Sequence, residues 1–317
     1  STSGIGLATA QALHQAGADV VLVVRNEVKG RTVADRLVAE SAAGRRRGLL
    51  GTPPGRVTVG VLDLADLASV RRFAQSWTGP IDVLVNNAGV MMPPLTRTTD
   101  GFEMQIGTNH LGHFALTNLL LPYVRDRVVT VSSLMQRPGR IHLDDLNYEH
   151  RRYTKAGAYA QAKLANLMFT SRLQRLLSDA GSPIRSVAAH PGGSSTGLGD
   201  QLSAPFAPEI FRFGSRFVGQ GSDGGALPTL FAATADIPGD TFIGPRGLFQ
   251  LSGAPTAVGR STQAYDLRVS EALWSLSEQL TDTSFRFAAT TRAAPDATTG
   301  ADASGPTDSP DAGRATL

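Results

Sequence analysis

The sequence predicts an α/β protein built on a doubly wound parallel sheet with helices on both faces. Three observations carry that reading. Continuous β-branched and apolar runs recur at residues 20–24, 57–62, 81–85, 127–131 and 184–189, as expected of strands buried on both faces. Between them lie longer stretches with the apolar spacing of amphipathic helices. The two kinds alternate along the chain, and strands joined through helices pair in parallel.

Composition bounds the rest. The chain has 317 residues, 41% of them hydrophobic, enough for one sizeable core. It has no cysteine, which excludes a disulfide framework and any thiolate metal or redox site. Net charge is +3, and with only three Lys among 30 basic residues the chain uses Arg almost throughout. Arg45-Arg46-Arg47 is the one basic cluster; it stands among Gly, Ala and Pro and reads as a solvated loop, not a nucleic-acid patch. No apolar run reaches the roughly 18–20 residues that a membrane helix needs. A cytoplasmic location is expected.

Ser3-Gly4-Ile5-Gly6 opens a helical pattern over residues 7–16, closed by Gly17. A Gly-rich turn at a helix start turns free backbone N–H groups toward a phosphate. The strand at 20–24 ends in Arg25-Asn26. That position, about 20 residues past the Gly motif, is where an acid would hold the ribose hydroxyl of NAD and an Arg the 2′-phosphate of NADP. Arg25 therefore points to NADP, with NAD as second choice. A helix is expected over 28–42, a Gly/Pro/Arg loop over 44–55, and a strand over 57–62 followed by Asp63-Leu64. Residues 67–77 read as a helix, and the strand 81–85 runs into Asn86-Asn87-Ala88-Gly89, whose small side chains let backbone approach a ligand.

Asp100 is placed to cap a long helix to about residue 121, stopped by Pro122. It carries Asn109, His110 and His113, a His pair without the third ligand that a metal needs. The strand 127–131 delivers Ser132-Ser133, and residues 139–146 read as an extra loop or short hairpin. On the next helix Tyr159 and Lys163 are four residues apart and share one face. A phenol beside an ammonium is a route to an acid/base: bringing Tyr from about 10 to about 7 takes roughly 4 kcal/mol of differential stabilisation. Tyr153 is not its equivalent, because Gly157 stands where the Lys would be. The strand 184–189 ends in His190-Pro191-Gly192, with His190 read as structural. Residues 198–218, with five aromatic or branched apolar side chains from Phe206 to Phe217, form either an apolar flap over a substrate or a helix on the core. A helix over 223–235, a last strand over 247–251 and a final helix over 262–280 complete one domain, residues 1–287. Residues 288–317 are too poor in apolar side chains to order themselves and are expected to be a disordered tail.

Taken together, Ser3 to Gly6, Asp63-Leu64, Asn86 to Gly89, Asn109-His110, Ser132-Ser133, Tyr159 to Lys163, and His190-Pro191-Gly192 with Thr196 resemble the short-chain dehydrogenase/reductases. The closest likeness is to their retinol dehydrogenase and protochlorophyllide reductase branch, over about residues 1–284. The resemblance implies a Rossmann sheet and an oxidoreductase that interconverts a carbonyl and an alcohol by hydride transfer. It implies Asn109, Ser133, Tyr159 and Lys163 as the catalytic set. Tyr159 would be the acid/base, Lys163 would lower its pKa and hold the nicotinamide ribose, Ser133 would bond the substrate oxygen, and Asn109 would position a relay water. The cofactor residues it implies are Ser3, Gly4, Ile5, Gly6, Arg25, Asn26, Asp63, Leu64, Asn87, Ala88, Gly89, Tyr159, Lys163, Pro191, Gly192 and Thr196, with no metal. Expected partners are a small, lipophilic substrate and a second copy as a homodimer, with no nucleic acid. Reduction of a C=C bond and an inactive nucleotide-binding relic are the alternatives. In the family the Gly pattern is longer and follows a strand. The sequence opens inside it, so a first strand is expected to be missing, leaving the strands at 20–24 and 81–85 unjoined.

Overall fold

The computed structural model describes residues 2–48, 51–193 and 221–286. Thr196, the apolar stretch 198–218 and the expected tail 288–317 lie outside the described residues. The chain runs α1 (Gly4–Gln15), β1 (Val20–Val24), α2 (Glu27–Arg46), β2 (Val57–Val61), α3 (Leu67–Ser76) and β3 (Ile81–Asn86). A split helix follows: α4 (Met104–Ile106), a π-turn (Gly107–Leu111) and α5 (Gly112–Leu120). Then come β4 (Val124–Val131), α6 (Lys155–Asp179), β5 (Arg185–Ala189), α7 (Ser222–Thr234), β6 (Phe242–Pro245), β7 (Pro255–Ala257) and α8 (Leu267–Thr281).

Among the described residues the strands form two ladders. β1 and β2 pair in parallel, Val20 opposite Val57. Separately, β3, β4, β5, β6 and β7 lie side by side in that order, parallel except for antiparallel β7. No ladder joins β1 to β3. Packing does: Val23 of β1 sits against a core cluster of Leu62, Leu64, Phe73 and Leu111 that Leu84 of β3 also touches. Helix α2 lies flush on its strands because Gly30 has no side chain; a Cβ there would stand 2.7 Å from a Val24 methyl and 2.8 Å from a Val59 methyl.

Three sequence expectations are corrected. Helix α2 continues to Arg46, so Arg45 and Arg46 occupy its last turn instead of a loop. Cations there complement the negative end of the helix dipole. The long helix begins at Met104, capped by Glu103, whose carboxylate accepts from the Gln105 and Ile106 amides. The Asp100 carboxylate accepts from the Leu67 amide at 2.9 Å instead. The last parallel strand is β6, not 247–251, which is a 3-10 turn with Phe249 at φ 52° and Gln250 at φ 60°. β6 takes the place beside β5 because Gly244 admits the His190 ring against the strand, where a Cβ would collide with it.

An aromatic cluster fills the α5/α6 face. Trp274 of α8 stacks on Phe169 of α6 at 5.6 Å between centroids and meets Phe114 of α5 edge-on at 4.8 Å. Fully buried Leu173, Leu177 and Val128 surround them. Trp274→Ala should therefore cost about 3–5 kcal/mol, the usual range for emptying a buried aromatic site. Urea unfolding of the two proteins measures it; a loss under about 1 kcal/mol would show that α8 does not anchor this face.

Candidate active site

The site lies at the carboxyl ends of β3, β4 and β5, the edge where an open parallel sheet presents its loops. Ser133 follows β4 by two residues and Tyr159 and Lys163 lie on α6, which crosses behind it. Helix α6 is locked to that strand end by three contacts. Lys163 Nζ donates to the Val131 carbonyl at 3.0 Å, Asn166 Nδ2 donates to the same oxygen at 3.1 Å, and the Ser132 hydroxyl donates to the Lys163 carbonyl at 2.8 Å. Lys163 Nζ stands 5.7 Å from the Tyr159 ring centroid.

The electrostatics depart from the expected pairing. Burial pushes the Tyr159 phenol up to about 12, and hydrogen bonding to Ser133 pulls it the other way. Burial alone brings the Lys163 ammonium down to about 8. Lys163 spends a hydrogen bond on Val131 and does not lower the Tyr159 value in this structure; Ser133 does.

Asn109 lies in the π-turn, fully buried. Its side-chain oxygen accepts from the Val90 amide at 2.8 Å and its Nδ2 donates to the Val90 carbonyl at 2.9 Å. Both ends of the amide bond backbone, so the side chain clamps the loop after β3. Gly89 in that loop faces the site: a Cβ there would lie 3.0 Å from Asn109 Oδ1 and 3.8 Å from Lys163 Nζ. The loop, the π-turn and α6 thus converge on one point.

The remaining predicted residues fall along the same edge. Ser3 precedes α1 and makes no side-chain cap; Gly4 has φ 61°, a conformation that suits glycine, and Ile5 and Gly6 follow in the first turn. Arg25 is exposed at the end of β1. Asn26 caps α2 through the Lys29 amide at 2.9 Å. The Asp63 carboxylate accepts from the Ala65 amide at 2.9 Å. Leu64 is buried, and its carbonyl lies where a Cβ on Gly112 would collide at 2.4 Å. Asn87 and Ala88 follow β3, and Pro191 and Gly192 follow β5, with Gly192 at φ 72°. The Gly192 amide donates to His190 Nδ1 at 3.1 Å. Uncapped amides at the start of α1, the Gly4 turn and the bare Gly89 backbone fit a dinucleotide, with Arg25 at its far end.

Sequence reasoning missed the residues that hold the 134–154 segment. Gln161, between Tyr159 and Lys163, donates to the Leu146 carbonyl at 3.0 Å. Buried Gln105 accepts from the Met92 amide at 2.9 Å and donates to Tyr153 and the Lys155 carbonyl. Asp145 is held near 2: burial raises it, but the Arg151, Glu149 and His150 amides and the Arg151 guanidinium more than compensate. His110 and His113, the sequence's His pair, bond Ser277 and the Asn109 carbonyl, each at 3.0 Å. His190 bonds Gln250 at 3.2 Å.

A family model described as short chain dehydrogenase matches residues 1–205. The chain belongs to that family. The match makes it an NAD(P)-dependent oxidoreductase by class, in the branch of the retinol dehydrogenases. It is 40% identical to retinol dehydrogenase 14 of Mus musculus over 248 residues, 75% of this chain and 73% of the relative. It is 37% identical to retinol dehydrogenase 13 of Homo sapiens over 88% of this chain and 82% of the relative. Against human retinol dehydrogenases 14 and 11 the matched stretch spans 63% and 58% of the relative. An uncharacterised protein of Mycobacterium paratuberculosis has a crystal structure 49% identical to this chain, with a TM-score of 0.74 over 90% of this chain and 92% of that one. A short chain dehydrogenase from Burkholderia cenocepacia, solved with NADP, shares the fold at 22% identity and a TM-score of 0.54 over 76% of this chain and 91% of that one.

The buried lysine of this short chain dehydrogenase carries a pH signature. Its folded-state value is about 8 against an ordinary 10.5. Between those values the unfolded chain holds the proton and the folded chain has released it, so this site's contribution to stability rises with pH. The unfolding free energy of the wild type minus that of Lys163→Met should therefore grow from pH 7.5 to pH 10, a window below the Tyr159 value. Urea titrations at four pH values test this; a flat or falling difference would show that the ammonium is not desolvated.

Proposed function

We propose that the chain is an NADP-dependent oxidoreductase that interconverts a carbonyl and an alcohol on a lipophilic substrate. The observation that carries this is the convergence of Ser133, Tyr159 and Lys163 with Gly89 at one sheet edge. When bound, the nicotinamide supplies or accepts the hydride. The chain supplies the proton and its control. In reduction the Tyr159 hydroxyl gives its proton to the substrate oxygen; in oxidation it takes that proton back. With the free phenol held near 12, the protonated form is the resting state, which suits a proton donor. The Ser133 hydroxyl is close enough to bond the phenol and is placed to bond the same substrate oxygen. Lys163 Nζ stands 5.7 Å from the Tyr159 ring centroid. In this reading its charge stabilises the phenolate left after transfer, a role it does not exert on the resting phenol. Relatives named for retinol and for polyprenol support a long apolar alcohol or aldehyde as substrate.

Tyr159→Phe should abolish turnover of long-chain aldehydes with NADPH while leaving NADPH binding within about threefold of wild type. Retention of a tenth of wild-type kcat would remove Tyr159 as the acid/base. Product analysis belongs to the same experiment, since a saturated carbonyl in place of an alcohol would assign C=C reduction instead.

Cofactor choice rests on Arg25. A charge-assisted contact to the 2′-phosphate contributes about 1.5–3 kcal/mol, roughly 10- to 150-fold. The ratio of kcat/KM for NADPH over NADH should exceed about 10 and collapse in Arg25→Ala. Equal use of both cofactors by the wild type would sink the assignment.

A further inference from the structure

We propose that His113 is a positioning residue: by holding the Asn109 carbonyl it sets the backbone of Gly89 and Val90 beside Lys163. The proposal rests on the reading of this edge as a cofactor site only for its last consequence. The chain of contacts starts in the π-turn. There the Gly112 amide reaches back five residues to the Gly107 carbonyl, so the ordinary four-residue ladder is broken around Asn109. The Asn109 carbonyl is met by a side chain, His113 Nδ1, at 3.0 Å.

A carbonyl only accepts, so Nδ1 carries the proton. Burial holds the ring well below its ordinary value, at about 4, and the nearby Lys163 charge pushes it the same way. The ring is therefore neutral, with Nε2 bare. His110, the other titratable group that bears on it, is neutral for the same reason, held down at about 3 by burial. A neutral ring surrounded by a cation and a second neutral ring is poorly suited to pick up a proton from Lys163. It is well suited to hold one carbonyl still.

That carbonyl matters because of what the same residue does with its other end. Asn109 grips Val90 by both amide N–H and carbonyl. Gly89, one residue before, lies close against Asn109, where a Cβ would stand 3.0 Å from its Oδ1 and 3.8 Å from Lys163 Nζ. If the π-turn relaxes, Asn109 moves, Val90 moves with it, and the Gly89 backbone leaves the place where a cofactor would lie against it. An interaction one turn along the helix thus reaches the site through two side chains and one loop.

The same helix shows how to test this. Asn118 Nδ2 donates to the Phe114 carbonyl, also four residues back, at 3.0 Å. His113→Asn should therefore keep the donor without an imidazole, while His113→Leu removes it. The first readout is hydrogen exchange of the Val90 amide in the cofactor-free full chain, normalised to the β4 amides so that a general loss of stability cancels. We expect exchange at least tenfold faster in His113→Leu and within about threefold of wild type in His113→Asn. Should His113→Leu melt too low to study, His113→Met serves the same arm. The second readout is NADPH binding, weakened about tenfold in the Leu variant and restored in the Asn variant, with KM for NADPH moving more than kcat. Unchanged Val90 exchange in the Leu variant would overturn the proposal. So would an Asn variant as impaired as the Leu one, or an Asn variant whose pH–rate profile shifts, since either would require the ring itself. If the wild type binds no NADPH, the proposed function fails, and the exchange experiment still decides the clamp.

Discussion

Two side chains of α6, Lys163 and Asn166, share a single carbonyl of β4, that of Val131. This contact brings a buried ammonium to the end of a buried strand, and the rest of the site is arranged around it. An ammonium that has lost its water needs acceptors, and the strand supplies one just before Ser132 and Ser133 turn away. Helix α6 cannot slide or rotate without stranding that charge, so Tyr159, one turn earlier, is fixed relative to Ser133. Fixing comes with desolvation: both titratable groups are moved in the direction that favours neutrality, Tyr159 up and Lys163 down. The protein holds its acid in reserve in this state, and a further positive charge in the crevice is what would draw the phenol downward.

Much of this was legible in the sequence because it depends on spacing. Four residues on a helix put Tyr159 and Lys163 on one face whatever else the chain does, and a strand that ends before Ser133 delivers that hydroxyl to the sheet edge. Glycines at 4, 89 and 192 were readable for a similar reason, as places where backbone comes close or bends. What was not legible depends on competition between equals. Asp100 and Glu103 both offer a carboxylate before an apolar helix; Glu103 caps it because the Asp100 carboxylate is taken by the Leu67 amide from another element. Residues 242–245 and 247–251 are both short and apolar, and the choice between them was made by the His190 ring pressing on Gly244. The π-turn leaves no trace in periodicity, since one extra residue per turn over a single turn changes the apolar spacing little. Gln161 and Gln105 were missed because an uncharged amide between two motif residues looks like filler until its long-range partners are known.

The extra segment between Ser133 and Tyr159 shows how a loop is held without secondary structure. Asp145 gathers three amides and a guanidinium, Arg151 also lies over the Tyr148 ring at 4.0 Å, and Tyr148 meets Tyr153 edge-on at 5.3 Å. Tyr153 in turn donates to the Pro93 carbonyl at 3.0 Å, tying the segment to the loop that Asn109 grips. Residues 91–95 and 145–153 therefore behave as one wall beside the site. A wall of this kind varies in shape without disturbing the strand ends that carry the chemistry, which is how one sheet edge accommodates different substrates.

The break between β1 and β3 has a thermodynamic meaning of its own. Among the described residues the β1–α2–β2 unit meets the five-stranded part through side-chain packing, with Val23 of β1 and Leu84 of β3 against one cluster. Opening free energies need not be uniform across such a molecule. Arg25 belongs to the first of these parts, Ser133, Tyr159 and Lys163 to the second. A dinucleotide that touched both would act as a tether between two foldons, and by mass action its binding energy would become cohesion of the fold.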